Sequence, residues 1–161
     1  MWEKKIMEVR ERLKESFIHL PEEKLNEKPA AGEWSIAQII LHLAGAEKRF
    51  IKLAWNAAEE EAEATGEDID LSVFEDTSKK LKAPIEPTDE PKSTEYLVQA
   101  LDESRQETLR FINKYSKEDI GKKAMNHHRF GNMPIWQVFE LLGMHESRHI
   151  FQIDEVKNRI L

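Results

Sequence analysis

Apolar residues in this chain recur every three or four positions in four separate runs, and no run alternates with period two. Spacing of that kind keeps the apolar groups on one side of a 3.6-residue turn and predicts amphipathic helices. Ile6, Val9, Leu13, Phe17 and Leu20 mark a first helix of about five turns, which Pro21 ends, and "PEEKLNEKPAAGE" then reads as a linker. Ser35 and Gln38 stand in the relation of a capping box, with Trp34 placed to staple the chain ahead of them. The second helix follows through Ile36, Ile39, Ile40, Leu43, Phe50, Leu53 and Ala54, and fades in the acidic cluster near Glu61. Periodicity is lost between Ala62 and Lys92, where Gly66, Pro84, Pro87 and Pro91 punctuate a connection long enough to be a functional cover or a floppy insertion. Leu97, Leu101, Ser104, Thr108, Phe111 and Tyr115 trace the third helix, and the capping signature from Ser116 to Asp119 predicts a short one after it. A loop, "NHHRFGN", leads to Pro134, which suits a first helical turn. The fourth helix then carries Val138, Leu141, Leu142, His145, His149, Gln152, Ile153 and Val156. Four such faces can bury one another only by packing together. The expectation is an all-α four-helix bundle, one domain over residues 1–161, with a long connection between helices 2 and 3.

At 161 residues and 40% apolar content, a single core can bury roughly two thirds of the surface the unfolded chain exposes. There is no cysteine, which excludes disulfides, thiolate metal sites and cysteine nucleophiles and fits a reducing compartment. The formal net charge is −7, and the longest cluster of one sign is acidic, Glu59 to Glu63. That disfavours nucleic acid as a partner, because phosphate neutralisation supplies much of such affinity. The opening residues mix charge with apolar groups at short intervals and contain neither a signal-peptide core nor a membrane-spanning run. A cytoplasmic protein with no membrane partner is expected.

In "LLGMHESRHIFQID", His145 and His149 lie one turn apart on the apolar stripe. One inward histidine is ordinarily a hydrogen-bonded core residue. Two neighbouring imidazoles resist that account, since an unsatisfied buried polar group costs about 1–3 kcal/mol. His42, in "QIILHLAG", borders the inward stripe of the second helix. At about 1.5 Å per residue the three can reach one level of the bundle. Three neutral imidazoles from two helices would suit zinc, nickel or iron(II) and leave positions open for water or substrate. A polar core cluster without metal is the alternative on spacing alone. His127 and His128 are adjacent in a loop, which favours surface or loop-packing roles, and His19 ends the first helix, where a cation suits the dipole. Glu146 falls off the inward face and is expected to be exposed, whereas Gln152 shares the stripe but cannot take a proton.

"GEWSIAQIILHLAGAEKRF" resembles the W-[ST]-x6-H-[LI] segment of the DinB/YfiT-like superfamily of helical-bundle, metal-dependent enzymes. "HHRFGNMPIWQVFELLGMHESRHIFQI" resembles its second segment, a loop with Phe-Gly followed by a helix bearing H-x-x-x-H and then Q-[IL]. The resemblance implies a four-helix bundle in which His42, His145 and His149 match the family's metal ligands. It also implies a divalent metal, zinc or nickel, a homodimer, and a small-molecule substrate. Relatives that transfer or isomerise with bacillithiol, mycothiol or glutathione suggest a low-molecular-weight thiol as co-substrate. Met133 and Pro134 depart mildly from the family, where Thr or Ser often caps the last helix.

A metal so held would lower the pKa of a bound thiol or water, giving an S-transferase or a hydrolase. The competing reading is a non-enzymatic bundle that binds metal or a small molecule.

Overall fold

The computed structural model describes residues 2–60, 68–72, 86–121, 123–127 and 129–161. The elements run α1 (Trp2–Glu15), α2 (Glu22–Leu25), α3 (Ile36–Glu59), α4 (Thr94–Lys114), α5 (Lys117–Ile120), β1 (Ala124–His127), β2 (Gly131–Pro134) and α6 (Gln137–Ile160). Helices α1, α3, α4 and α6 form the bundle, with α3 packed on α4 and α6, and α1 on α6. No helix among the described residues is long and apolar enough to cross a membrane.

Local chemistry starts the helices. The Gln38 N–H donates to Ser35 Oγ (3.2 Å) while the Ser35 N–H donates to Gln38 Oε1 (3.0 Å), so the expected capping box at α3 is present. Ser93 caps α4 through the Tyr96 N–H, and Ser116 and Asp119 form a second capping box at α5.

Three expectations are corrected. The first helix ends at Glu15 instead of continuing to Leu20, because residues 16–20 close tight turns such as Ser16 N–H to Leu13 O and Leu20 N–H to Phe17 O. Pro21 disfavours the helical conformation in the residue before it, which accounts for the tightening. The linker that follows contains the one-turn α2, whose Leu25 is fully buried. Finally, the loop before the last helix is an antiparallel hairpin pairing Ala124 with Pro134 and His127 with Gly131. Pro134 therefore ends a strand, and α6 begins at Gln137 without a side-chain cap from Trp136. Gly131 takes a φ of +70°, a conformation open to glycine at little cost.

The described parts of the α3–α4 connection are tied down at both ends. Gln137 bonds both backbone groups of Ile69, and the Trp34 Nε1–H donates to Glu86 Oε2 (2.9 Å). Asn26 exchanges two hydrogen bonds with the backbone of Lys92. The rest of the 62–92 connection lies outside the described residues.

The core divides into two apolar clusters along the bundle. One gathers Phe50, Ala54, Phe111, Met133, Val138 and Leu141, and the other Leu13, Phe17, Ile40, Leu97, Leu101 and Ile153. Each fully buried Leu, Ile or Phe contributes about 1.5–3 kcal/mol. Between the clusters, every long helix carries polar residues inward: Arg10 on α1, His42 and Glu47 on α3, Ser104, Arg105 and Thr108 on α4, and His145 and Glu146 on α6.

Candidate metal centre

The polar layer has two halves. In one, Arg10 Nε donates to Glu146 Oε1 (2.7 Å) and Arg10 Nη2 to Glu47 Oε1 (2.8 Å). Arg105 Nε reaches Glu47 Oε2 (2.9 Å), and the Thr108 hydroxyl donates to the same oxygen (2.6 Å). Arg10 Nη1 and Arg105 Nη1 end on the carbonyls of Leu101 and Ile6. Two cations and two anions thus neutralise one another out of water, as buried charges require. Burial pushes Glu47 up, but Arg105, Arg10 and Thr108 outweigh it and hold its carboxyl below the usual range. Burial dominates at Glu146 and raises it, against the pull of Arg10 and Arg105. Glu146 is 3% exposed, so the expectation that it faces solvent is wrong. It lies off the apolar stripe of α6 but still inside the bundle, where α1 and α4 meet it with arginines.

The other half is a cluster of imidazoles. His42 Nε2 lies 3.1 Å from His145 Nε2, and His149 Nε2 lies 3.2 Å from the same atom. The three rings meet edge to face, with centroids 4.7–5.0 Å apart. Helix α3 supplies one ring, and the i,i+4 spacing on α6 supplies the other two, as the sequence predicts. Trp34, just before the α3 cap, packs its ring 5.1 Å from that of His42. Phe50 stands 6.1 Å from His145 on the other side.

Protonation follows from the surroundings. Burial, then the charges of His149 and Arg49, lower His42 to about 3, and burial lowers His149 to about 4 against the hydrogen bond to Gln152. His145 is held well below 6.5, first by burial and then by its histidine neighbours. All three are neutral at pH 7. Gln152 Oε1 lies 2.6 Å from His149 Nδ1 and can only accept, so that ring carries its proton on Nδ1 and presents a lone pair at Nε2. The Nε2 atom of His145 then has two close nitrogen neighbours and at most one proton to share. Linear hydrogen bonds cannot satisfy both contacts, whereas a cation at the common point satisfies three lone pairs at once. The separations suit it: Zn–N bonds of about 2.05 Å place nitrogens about 3.3 Å apart at tetrahedral angles and about 2.9 Å apart at right angles. The group of metal-ligating type found among the described residues consists of His42, His145 and His149, with no carboxylate in it.

The other histidines stand apart from the cluster. His127 is buried in β1, accepts at Nδ1 from the backbone N–H groups of Arg129 (3.0 Å) and Phe130 (3.4 Å), and packs between Phe50 and Phe130. It packs the loop, as one of its two expected roles required. His19 is exposed in the turn after α1, beside Glu15. His128 lies outside the described residues. The role of Gln152 was missed, although its position three residues after His149 placed an amide beside the ring.

Two solved structures share this fold. TT2238, a four-helix bundle protein, superposes with a TM-score of 0.68 at 15% identity over 96% of this chain and 99% of its own. YfiT from Bacillus subtilis, described as a probable metal-dependent hydrolase with an unusual four-helix bundle topology, superposes with the same TM-score at 18% identity, over 98% of this chain and 85% of its own. At such identities the likeness shows the fold alone. The uncharacterized protein YuaE of Bacillus subtilis strain 168 is 31% identical over 143 residues, 88% of each chain. Residues 5–153, which include both halves of the polar layer, match the DinB superfamily. That match spans most of the chain, and this chain belongs to the DinB superfamily.

Proposed function

We propose that this protein is a metal-dependent enzyme acting on a small molecule, with His42, His145 and His149 holding a divalent ion, zinc or nickel. The observation that carries the reading is the convergence of three neutral Nε2 atoms on one point. A divalent metal there would supply Lewis acidity, lowering the pKa of a water or thiol beside it to near neutrality. The chain's own residues do the rest. Gln152 fixes the tautomer of His149, and Trp34 and Phe50 flank the rings and keep bulk water from two sides. The description of YfiT as a probable hydrolase favours water as nucleophile.

One observation favours a thiol instead. Glu47 and Glu146 are committed to arginines, so neither is available as a base, and a thiol needs less help than water to lose its proton. A low-molecular-weight thiol would then attack an electrophilic carbon of the second substrate, forming a thioether as the leaving group departs with the bonding pair. We further propose that the protein works in the cytoplasm, the compartment that its cysteine-free composition fits, and that it pairs as a homodimer, on the family resemblance.

Elemental analysis of protein purified without an affinity tag or chelator tests the metal. Close to one zinc or nickel per chain is expected, and a metal-free protein that also takes up none on dialysis would sink the reading. With metal bound, conjugation of glutathione, bacillithiol, mycothiol or coenzyme A to monochlorobimane distinguishes thiol transfer from hydrolysis. No protein thiol can interfere.

A further inference from the structure

Arg49 lies seven residues after His42, on the same face of α3 and two turns further on. Its side chain runs back toward the imidazoles: a Cβ on Gly45 would sit 3.3 Å from Arg49 Nη1. Gly45 is three residues from His42, so the guanidinium rests within a turn of that ring. Its charge is felt there, adding to burial and to the neighbouring imidazoles in lowering the proton affinity of both His42 and His145.

This cation is treated unlike the others in the polar layer. Arg10 and Arg105 are saturated by Glu47, Glu146 and backbone carbonyls. Arg49 is half-buried, and among the described residues no carboxylate pairs with it. A chain with net charge −7 has acidic groups to spare, yet none of those among the described residues is paired with it. A partly desolvated guanidinium beside a metal centre costs free energy twice, through the hydration it has lost and through repulsion of the metal. An enzyme for neutral substrates would gain nothing from it. An anion arriving with the substrate would offset both costs, and the planar fork of donors fits a carboxylate or phosphate bidentately.

We propose that Arg49 is the anion-binding residue of this site, receiving a carboxylate or phosphate of the substrate while the reacting part of the same molecule reaches His42, His145 and His149. Gly45 lets the guanidinium lie close against α3 without displacement. The substrate class is thus an anionic small molecule, and the proposal rests on the metal-site reading above.

The test uses cobalt-loaded protein and two thiols that differ in one group, 3-mercaptopropionate and 2-mercaptoethanol, followed by the thiolate-to-cobalt absorption band. The wild type is expected to bind 3-mercaptopropionate about tenfold more tightly than the neutral thiol, as one charge-assisted pair implies. Arg49→Gln should equalise the two without changing cobalt content or 2-mercaptoethanol affinity. Gly45→Ala, which favours the helix but pushes Nη1 aside by a few tenths of an ångström, should weaken the discrimination while keeping the charge. Equal affinities in the wild type, or discrimination that survives Arg49→Gln, would overturn the proposal. If the protein takes up no cobalt, the metal reading fails separately. The Arg49 Nε–H resonance of metal-free, nitrogen-15-labelled protein, identified by its loss in Arg49→Gln, then decides: a saturable shift with 3-mercaptopropionate upholds the anion site, and an unmoved resonance refutes it.

Discussion

Gln152 Oε1 and His149 Nδ1 stand 2.6 Å apart, one turn of α6 holding both. Because the amide oxygen can only accept, this contact decides which nitrogen of His149 faces the cluster. Gln152→Leu removes the acceptor and frees the ring to protonate at Nε2. Metal affinity, measured by competition with a chromophoric chelator, is expected to fall by about 10- to 100-fold, the usual effect of losing an outer partner. Helical content should be unchanged, since Leu is a good helix former. Unaltered affinity would mean that the amide does not orient the ligand.

His42→Ala, His145→Ala and His149→Ala should each lower bound metal per chain after dialysis. His127→Ala should leave metal content intact and instead lower the urea midpoint, because its ring fills space between Phe50 and Phe130. A loss on the order of 2–4 kcal/mol is expected for an aromatic-sized cavity. Full occupancy in His42→Ala would remove α3 from the site.

The bundle was legible because apolar residues alone mark a 3.6-residue period, and the imidazole cluster because i,i+4 on one helix needed only one partner from another. The arginine–glutamate network was not, although its signal was present. Arg10 falls on the stripe of Ile6 and Leu13, and Arg105 on that of Leu101 and Thr108, so a reading that followed the stripes would have found two inward cations. Glu146 escaped because it sits about 100° from His145 on the helix, outside the apolar stripe yet facing α1 and α4. The hairpin escaped for a different reason. Its four-residue arms put only Met125 and His127, or Met133 and Pro134, inward, too few to display a period of two.

Acid should weaken the metal-free fold. In the unfolded chain each histidine binds a proton near 6.5, whereas His42 does so at about 3 and His149 at about 4 in the folded state. Between those values the unfolded state holds more protons, so stability falls as pH drops below 6.5 and levels off near 3–4. The slope is at most about 1.4 kcal/mol per pH unit for each such imidazole. Urea midpoints of metal-free protein from pH 7 to pH 4 measure it. His149→Ala should flatten the profile, and an identical slope in that variant would show that this ring is not held neutral by the fold.

Arg10 bridges Glu47 and Glu146, so removing it leaves Glu47 to Arg105 and Thr108 and leaves Glu146 only its longer contact with Arg105. Arg10→Met keeps much of the apolar stem and deletes the charge. A loss of about 3–5 kcal/mol at pH 7 is expected, the range for breaking a buried pair. Glu146 already has a raised pKa from burial, and without Arg10 it should take up a proton more readily. The penalty in Arg10→Met should therefore shrink as pH falls toward 5, opposite to the trend expected from the histidines. Glu146→Gln in the same chain should recover part of the loss, because a neutral amide no longer needs the missing cation. Urea unfolding of both singles and the double gives the coupling directly. Strict additivity would mean that Arg10 and Glu146 do not depend on one another, despite the 2.7 Å contact between them.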